Sequence, residues 1–214
     1  MTLLSRLLAL FPASVMILAV WALGLAIGAS QPLWRMLGGL ALPVILYLYP
    51  VLVYRLLVYF KPLQTPLREE LTGARYSHWW GSHQVQLIYL VLPVLERFLR
   101  VVPGAYSAWL RLWGAKIGRQ VYWTPNVEVH DRALLQLGDG VVLGHEVKLV
   151  SHVVIPHRQH LRLYANAIVI GSGAFIGAGS VLGPGVRVDA QQVLPVRTEG
   201  RINQRFQRFE IQRG

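Results

Sequence analysis

A six-residue repeat runs through the second half of the chain. Aliphatic residues recur at Ile170, Ile176, Leu182 and Val188, and a glycine follows each of the first three. An α-helix would space such residues by about 3.6 positions and a half-buried strand by two, so a strict period of six indicates a stacked structural repeat. The sequence therefore predicts short stacked strands here rather than a helix or a hairpin.

The repeat predicts a β-solenoid in which each hexad supplies one short strand and one corner of a three-sided coil. The aliphatic residue fills the interior, and small residues such as Ala174 and Ser180 allow successive coils to stack. Gly171, Gly177 and Gly183 are expected to provide the positive φ that corners often require. One coil cannot bury its own core, so the same phase should recur upstream.

The same phase does recur upstream, which extends the predicted coil towards the N-terminus. The step from Val129 to Leu137 is eight residues, so two residues should bulge out there. The interior positions predicted in this part are Ile117, Trp123, Val129, Leu137, Leu143 and Leu149, with Val141, Val147 and Val153 at the fifth position of their hexads.

A loop must leave the coil after Leu149, because the step from Leu149 to Ile170 is 21 residues and six does not divide it. With Ile155 as the next interior residue, residues 156–169 form this excursion. It contains Pro156, His157, Arg158, His160 and Arg162. Long ordered excursions from compact repeats are often functional, so this one is a candidate functional element.

The composition separates this chain from ordinary soluble domains. Hydrophobic residues make up 54% of its 214 residues and charged residues only 14%. There is no cysteine, which excludes disulfide frameworks, cysteine-ligated zinc and thiol catalysis and leaves seven histidines as candidate reactive groups. The net charge of +11 suits anionic lipid headgroups or phosphorylated cofactors. Nucleic acid is not expected as a partner, because the arginines are scattered between apolar segments.

Two apolar runs near the N-terminus are predicted to cross a membrane. Leu10–Gly28 has no charged residue, Met36–Phe60 has one, Arg55, near its end, and both reach spanning length. A signal peptide, with Arg6 before it, is the alternative for the first run, but the second run favours a transmembrane helical hairpin. The basic flanks predict a multi-pass protein of the cell inner membrane with both termini and the coil on the cytoplasmic face.

An aromatic, amphipathic region connects the hairpin to the coil. We interpret Val85–Val102 as an interfacial or re-entrant helix, since its apolar run is too short to span, and a second short helix follows Pro103. His78 and His83 are interpreted as anchors beside a tryptophan pair rather than as catalytic groups. The predicted domains are a transmembrane helical hairpin (1–76), interfacial amphipathic helices (77–113), an all-β coil of hexapeptide repeats that decays after Val188 (114–196), and a basic C-terminal tail (197–214).

Two histidines in the best-formed coil could carry chemistry. His145 follows Leu143 by two residues and His152 follows Leu149 by three, so neither occupies an interior position. Both side chains are predicted to project from the wall of the coil. A neutral imidazole can take a proton from a hydroxyl or an amine near pH 7, so these histidines are candidate general bases.

Three stretches of the sequence resemble a known family. They are Trp109–Gly118, the histidine that follows the strand ending at Leu149, and Ile168–Gly177. Together they are similar to the left-handed β-helix acyltransferases, and within that family to the colanic-acid-type O-acetyltransferases and the membrane-tethered hexapeptide modules of peptide synthetases. The resemblance covers roughly residues 105–195 and implies a left-handed parallel β-helix.

The resemblance implies an acyltransferase that uses acyl-CoA, such as acetyl-CoA, as co-substrate and binds no permanent cofactor or metal. His152 matches the family's catalytic histidine and would deprotonate the acceptor, and His145 is the second catalytic candidate. In the family, active sites lie in grooves of a homotrimer with acyl-CoA along the outer wall, which makes Gly177, Ala178 and Arg187 the donor-site candidates. The acceptor would be a hydroxyl or amine of a lipid-linked, glycan or peptide molecule associated with membrane lipids.

Two departures from the family pattern leave the donor open. The usual Gly-x-Pro-Ala ending is replaced by Thr198-Glu199-Gly200-Arg201, and Ala165-Asn166-Ala167 stands where a Pro-Val pair is common. The donor is then either CoA held differently or another thioester, such as a carrier protein.

Two other functions are compatible with the same fold. A γ-class carbonic anhydrase binds zinc through three histidines, but its close pair is about five residues apart, whereas His145 and His152 are seven apart. The second alternative is a non-catalytic hexapeptide scaffold that anchors or assembles partners at the membrane.

Overall fold

The computed structural model describes residues 2–71 and 75–207. Its helices are α1 (Leu3–Ala9), α2 (Phe11–Gly28), α3 (Pro32–Pro43), α4 (Tyr49–Phe60), α5 (His78–Val91), α6 (Val94–Val101) and α7 (Ala105–Trp113), with a π-helical turn at Val44–Leu48. Its strands are β1 (Leu67–Leu71), β2 (Lys116–Ile117), β3 (Tyr122–Trp123), β4 (Glu128–Val129), β5 (Leu135–Leu137), β6 (Val142–Leu143), β7 (Lys148–Leu149), β8 (His152–His157), β9 (His160–Ala165), β10 (Ile168–Ile170), β11 (Phe175–Ile176), β12 (Val181–Leu182), β13 (Arg187–Val188), β14 (Val193–Leu194), β15 (Glu199–Gly200) and β16 (Arg205–Phe206).

The chain divides into two compact units, one within residues 1–63 and 72–95 and the other within 64–71 and 96–214. The first unit holds the apolar helices. Leu3–Gly28 and Pro32–Phe60 are each long and apolar enough to cross a membrane, and only 22% and 17% of their most apolar windows are buried. The core helices of soluble proteins that pass the same length and composition test are mostly buried, whereas these present apolar side chains outward.

Close packing joins the apolar helices. A Cβ atom at Gly38 would lie 2.6 Å from the carbonyl oxygen of Ala22 and from the nitrogen of Ala26, so α3 lies directly on α2 at this glycine. The hydroxyl of Tyr89 on α5 donates to the carbonyl of Leu46 at 2.7 Å, in the π-helical turn that follows Pro43. This bond gives a partner to a backbone oxygen in a turn where the regular α-helical pattern is interrupted.

The helix predicted over Val85–Val102 is instead part of two helices. The first, α5, begins at His78, where the Ser77 hydroxyl accepts a hydrogen bond from the Trp80 nitrogen at 3.1 Å, and it ends at Val91. Pro93 has no N–H and disfavours helical geometry at the residue before it, which ends α5 before α6 begins. The short helix expected after Pro103 is present as α7, with Trp109 and Trp113 buried.

The repeat of the second unit forms three parallel sheets that the chain visits in rotation. The strand orders are β2-β5-β10-β13-β16, β3-β6-β11-β14 and β4-β7-β12-β15. Every neighbouring pair is parallel, as in Val142–Leu143 beside Phe175–Ile176. The inward side chains of Leu143, Leu149 and Leu182 are fully buried, which confirms the predicted interior phase.

The glycines that follow the inward residues have a different role from the one predicted. A Cβ atom at Gly177 would lie 2.4 Å from the backbone atoms Pro195 C and Val196 N, so a glycine is required there because the next coil approaches closely. Positive φ falls two residues later, at Gly179 (φ 68°), and non-glycine residues such as Asn126 (φ 63°) also occupy that phase. The prediction of positive φ at Gly171, Gly177 and Gly183 is therefore wrong, because none of these three residues has a positive φ.

The excursion from the coil is an antiparallel hairpin, β8 with β9, and β1 pairs with the outer side of β9. It begins earlier than predicted, at His152, and the chain returns to the coil at Ile168. Ile155 lies opposite Arg162 in the hairpin and is 41% exposed, so its predicted interior position is wrong. Residues 152–165 pair with each other rather than with a neighbouring coil, which removes Ile155 and Val153 from the repeat.

The repeat does not decay after Val188, in contrast to the prediction. The step of six continues through Leu194, Gly200 and Phe206, and the strands containing them pair in parallel with those one coil earlier. The ring of Phe206 would be 3.4 Å from a Cβ at Gly200, so a large residue fills the space beside a small one. Part of the predicted basic tail therefore forms strands, and its last residues, 208–214, lie outside the described residues.

Candidate active site

Two segments leave the repeat at the same corner, between the third and the first sheet. Val129 at the end of β4 pairs in register with Leu149 at the end of β7. The residues that follow these two strands are therefore stacked one coil apart, at the start of the two-residue bulge and of the hairpin. We call the group formed there by His130, Asp131 and His152 the histidine corner.

His152 and Asp131 form a close pair in the histidine corner. The Nδ1 atom of His152 lies 2.7 Å from Oδ2 of Asp131, and the Asp131 side chain is only 2% exposed while that of His152 is 14% exposed. An ionised carboxylate only accepts hydrogen bonds, so Nδ1 carries the donated proton and Nε2 holds the lone pair of the neutral ring. This arrangement orients an imidazole and fixes its tautomer, as a general base requires.

His130 is the third member of the corner. Its ring centroid lies 6.0 Å from that of His152, and its Nε2 lies 3.8 Å from Oε2 of Glu128. Burial lowers the pKa of His130 below its ordinary value of 6.5, while the Asp131 carboxylate opposes that shift. His130 is therefore predominantly neutral near pH 7.

A buried charge cluster anchors the segment that carries Asp131. The adjacent residue, Arg132, is fully buried, and its Nε donates to Oε1 of Glu96 at 2.7 Å. The other oxygen of Glu96 accepts from the Tyr106 hydroxyl at 2.9 Å and lies 3.3 Å from Nη2 of Arg100. Arg100 also donates to the carbonyl of Val127 at 2.7 Å. The cluster thus binds α6 and α7 to both ends of the segment between Val127 and Arg132.

Burial raises the pKa of the Tyr106 phenol, and the Glu96 carboxylate raises it further. Tyr106 is therefore a neutral donor, and the cluster contains Glu96 as its acid and two guanidinium groups. Because both guanidinium groups share the Glu96 carboxylate, removal of that carboxylate leaves uncompensated buried charge. The cluster is a firm support for the histidine corner.

His145 lies at a different corner of the coil. Its side chain is 52% exposed, with Nε2 3.3 Å from Oε1 of Glu146, and its carbonyl accepts a hydrogen bond from the Gly179 nitrogen at 2.8 Å. The donor-site candidates Gly177 and Ala178 belong to this same corner, one coil further on. A Cβ at Gly144 would lie 2.6 Å from the Ala178 nitrogen. The structure therefore brings His145 next to two donor-site candidates.

Arg187, the third donor-site candidate, lies on the first sheet, with its side chain exposed, between Val169 and Arg205. It does not share the corner of Gly177 and Ala178, which follow β11 of the second sheet.

Sequence reasoning missed His130, Asp131 and Arg132. The available signal was the eight-residue step between Val129 and Leu137, which places extra residues at the same corner as the long excursion. Within the described ranges, no group of three or more His, Asp or Glu side chains is placed to hold a metal ion.

Comparison with known proteins gives relatives for part of the chain. No protein-family model matches it. WcaF of Escherichia coli K12 and WcaF of Shigella flexneri, both named for acetyl transfer in colanic acid biosynthesis, are each 30% identical over 109 residues. The match covers 42% of this chain, and the chain spans 60% of the length of these relatives. They confirm the resemblance to the colanic-acid-type acetyltransferases.

Solved structures of hexapeptide-repeat acetyltransferases are also similar. VCA0836 of Vibrio cholerae O1 biovar eltor, complexed with acetyl coenzyme A, is 14% identical, with a TM-score of 0.41, over 63% of this chain and 88% of its own. A maltose O-acetyltransferase of Clostridium difficile 630 is 16% identical, with a TM-score of 0.39, over 53% of this chain and 77% of its own. The fold described above rests on the strand pairing of this chain.

Proposed function

We propose that this chain is a membrane-tethered acetyltransferase whose repeat is a left-handed parallel β-helix. It moves an acetyl group from acetyl-CoA to a hydroxyl or amine of a membrane-associated acceptor. The similarity to WcaF supports the reaction class. The observation that carries the proposal is the His152–Asp131 pair, with 2.7 Å between Nδ1 and Oδ2 at the corner where the hairpin leaves the coil.

His152 acts as the general base in this proposal. The acceptor O–H or N–H gives its proton to Nε2 while the acceptor atom attacks the carbonyl carbon of the thioester. A backbone N–H stabilises the negative oxygen of the tetrahedral intermediate. Collapse of the intermediate breaks the C–S bond, and the imidazolium returns its proton to the leaving thiolate, so the products are the acetylated acceptor and free CoA. Asp131 holds the ring in the required tautomer and stabilises the imidazolium.

The donor binds along the corner formed by Gly177 and Ala178 in this proposal, with Arg187 available to a phosphate of CoA. His145 stands at the same corner, which supports a role in positioning rather than in proton transfer. His152 and the donor candidates lie at different corners of one chain, so the proposal requires a homotrimer in which the histidine corner of one copy faces the donor corner of the next. A groove between copies also excludes water from the thioester better than the exposed wall of one coil. A carrier-protein thioester is the alternative donor.

Membrane tethering is supported by the two long apolar helical stretches, Leu3–Gly28 and Pro32–Phe60. They form a transmembrane hairpin with both termini in the cytoplasm, where acetyl-CoA is available. The acceptor is then a lipid-linked, glycan or peptide molecule at the inner face of the membrane.

Mass spectrometry of lipid and glycan extracts tests the proposed function. Cells that make the wild-type chain should contain a species carrying an added acetyl mass. Cells that make His152→Ala at the same level should lack that species. The same species in both extracts, or in neither, would leave the acetyltransferase proposal without support and favour the non-catalytic scaffold.

A further inference from the structure

A cavity separate from the histidine corner lies beside α7 and the first strands of the repeat. Its volume is about 510 Å³, and its lining includes Arg100, Ser107, Arg111, Gln120, Tyr122 and Trp123. The lining of this cavity therefore combines two guanidinium groups and neutral polar groups with apolar and aromatic side chains. None of the lining residues is an acid.

Hydrogen bonds fix the walls of this cavity. The indole nitrogen of Trp123 donates to the Ser107 hydroxyl at 2.8 Å, which joins the first coil to α7. The guanidinium of Arg111 donates to the carbonyls of Ile117 and Gly118 at 2.9 and 2.7 Å. The cavity is therefore already formed, and a ligand does not have to order its walls.

One of the two basic groups of the cavity, the guanidinium of Arg100, has an incomplete counter-charge. The side chain of Arg100 lines the cavity and is 10% exposed. Arg100 shares the single carboxylate of Glu96 with Arg132, which lies 2.5 Å from that carboxylate, closer than Arg100 at 3.3 Å. A guanidinium that shares its counter-ion favours a negatively charged ligand in the space beside it.

Apolar surface surrounds this basic site. Val102 and Tyr122 line the cavity and are 59% and 62% exposed, and the neighbouring Val101 is 77% exposed. Such side chains gain from contact with hydrocarbon, as the arginines gain from contact with phosphate. A free inorganic anion would use only the second of these features.

We propose that this cavity binds the headgroup of an anionic lipid, with the phosphate at Arg100 and Arg111 and the glycerol and acyl chains against Val102 and Tyr122. This binding site goes beyond the proposed acetyl transfer, because it requires neither an acyl donor nor His152. Its occupant is a lipid of the bilayer on which the chain works.

The decisive variant adds a negative charge to the cavity without touching the buried cluster. Gln120 lines the cavity, is exposed and has φ 54°, and Asn126 has the equivalent position one hexad later, with φ 63°, outside the cavity lining. Gln120→Glu and Asn126→Asp therefore make the same charge change in the same backbone geometry. Arg100→Gln is less suitable, because Arg100 also holds Glu96.

Native mass spectrometry of the full chain in detergent, titrated with short-chain lipids, tests the proposal. Dioctanoyl phosphatidic acid should bind at least about tenfold more tightly than dioctanoyl phosphatidylcholine, and inorganic phosphate should not compete at the same concentration. Gln120→Glu should weaken phosphatidic acid binding about tenfold, while Asn126→Asp and His152→Ala should match the wild type. Equal binding of the two lipids, equal effects of the two acidic variants, or competition by free phosphate would each overturn the proposal.

Discussion

The Nδ1 atom of His152 lies 2.7 Å from Oδ2 of Asp131, although the two residues are 21 positions apart. They meet because β4 and β7 are in register, so that the chain leaves both strands at one corner of the repeat. A buried carboxylate beside an imidazole orients the ring and fixes its tautomer, as general-base catalysis requires.

Asp131→Asn should lower kcat for CoA release by about 10²- to 10⁴-fold and leave KM for acetyl-CoA within about twofold. The reason is that an amide nitrogen can donate to Nδ1, which then moves the ring proton to Nε2, the atom that must accept it. Asp139→Asn is the matched control, because Asp139 is an exposed carboxylate that accepts from the Arg119 nitrogen at another corner. Equal losses in both variants would show that Asp131 has no special role.

Glu96→Leu should destabilise the protein by about 3–5 kcal/mol, because it leaves the buried guanidinium groups of Arg100 and Arg132 without their carboxylate. The double variant Glu96→Leu with Arg132→Leu should be less destabilised than Glu96→Leu alone, since it removes an unpaired charge. Thermal unfolding of the detergent-solubilised chains measures both effects. A double variant that is less stable than either single variant would contradict this account of the cluster.

His130 should make stability depend on pH in the mildly acidic range. Its pKa is lowered from 6.5 by burial, so between 6.5 and the lowered pKa the unfolded chain binds more protons than the folded chain. The stability that neutral His130 contributes is therefore complete above 6.5 and is lost as the pH falls through that interval. His130→Gln should show a smaller decrease in unfolding temperature between pH 7.5 and pH 5. If the unfolding temperature of His130→Gln falls as much as that of the wild type, other groups cause the pH dependence.

Gly177→Ala should be strongly destabilising, by more than about 2 kcal/mol, because the new Cβ would lie 2.4 Å from backbone atoms of the next coil. Gly173→Asn is the matched comparison within the repeat. Its φ is 68°, a value that asparagine tolerates and that Asn126 and Asn203 adopt at the same phase. Chemical unfolding should show Gly173→Asn within about 1 kcal/mol of the wild type. The reverse order would contradict the assigned roles of these glycines.

The fold of the repeat could be predicted because nearly every inward position requires an aliphatic side chain. Leu143, Leu149 and Ile176 are fully buried where the period of six places them. The period gave no information where pairing changes direction, so Ile155 was misplaced in a hairpin that pairs with itself and with β1. The period also gave no signal at Gly200, because the inward residue there is a glycine. The ring of Phe206 from the next coil fills the space beside it.

The candidate site was only half predictable for a related reason. His152 could be selected from its position after Leu149, because the phase shows that it is not interior. Asp131 could not be selected, because it is in a bulge where the repeat has no fixed phase, and its partner becomes evident only when β4 is aligned with β7. Glu96, which supports this bulge through Arg132, is on a helix outside the repeat.

The rate of CoA release from acetyl-CoA tests the central claim, that His152 is the general base, most directly. The chain has no cysteine, so it adds no thiol of its own to a thiol-reagent assay of released CoA, and the same membranes without the chain give the background. With membranes that contain the acceptor, His152→Ala should lower the rate by about 10²- to 10⁴-fold, while His145→Ala, with its exposed side chain, should retain most of it. A wild-type rate in His152→Ala together with a large loss in His145→Ala would contradict the assignment of the base.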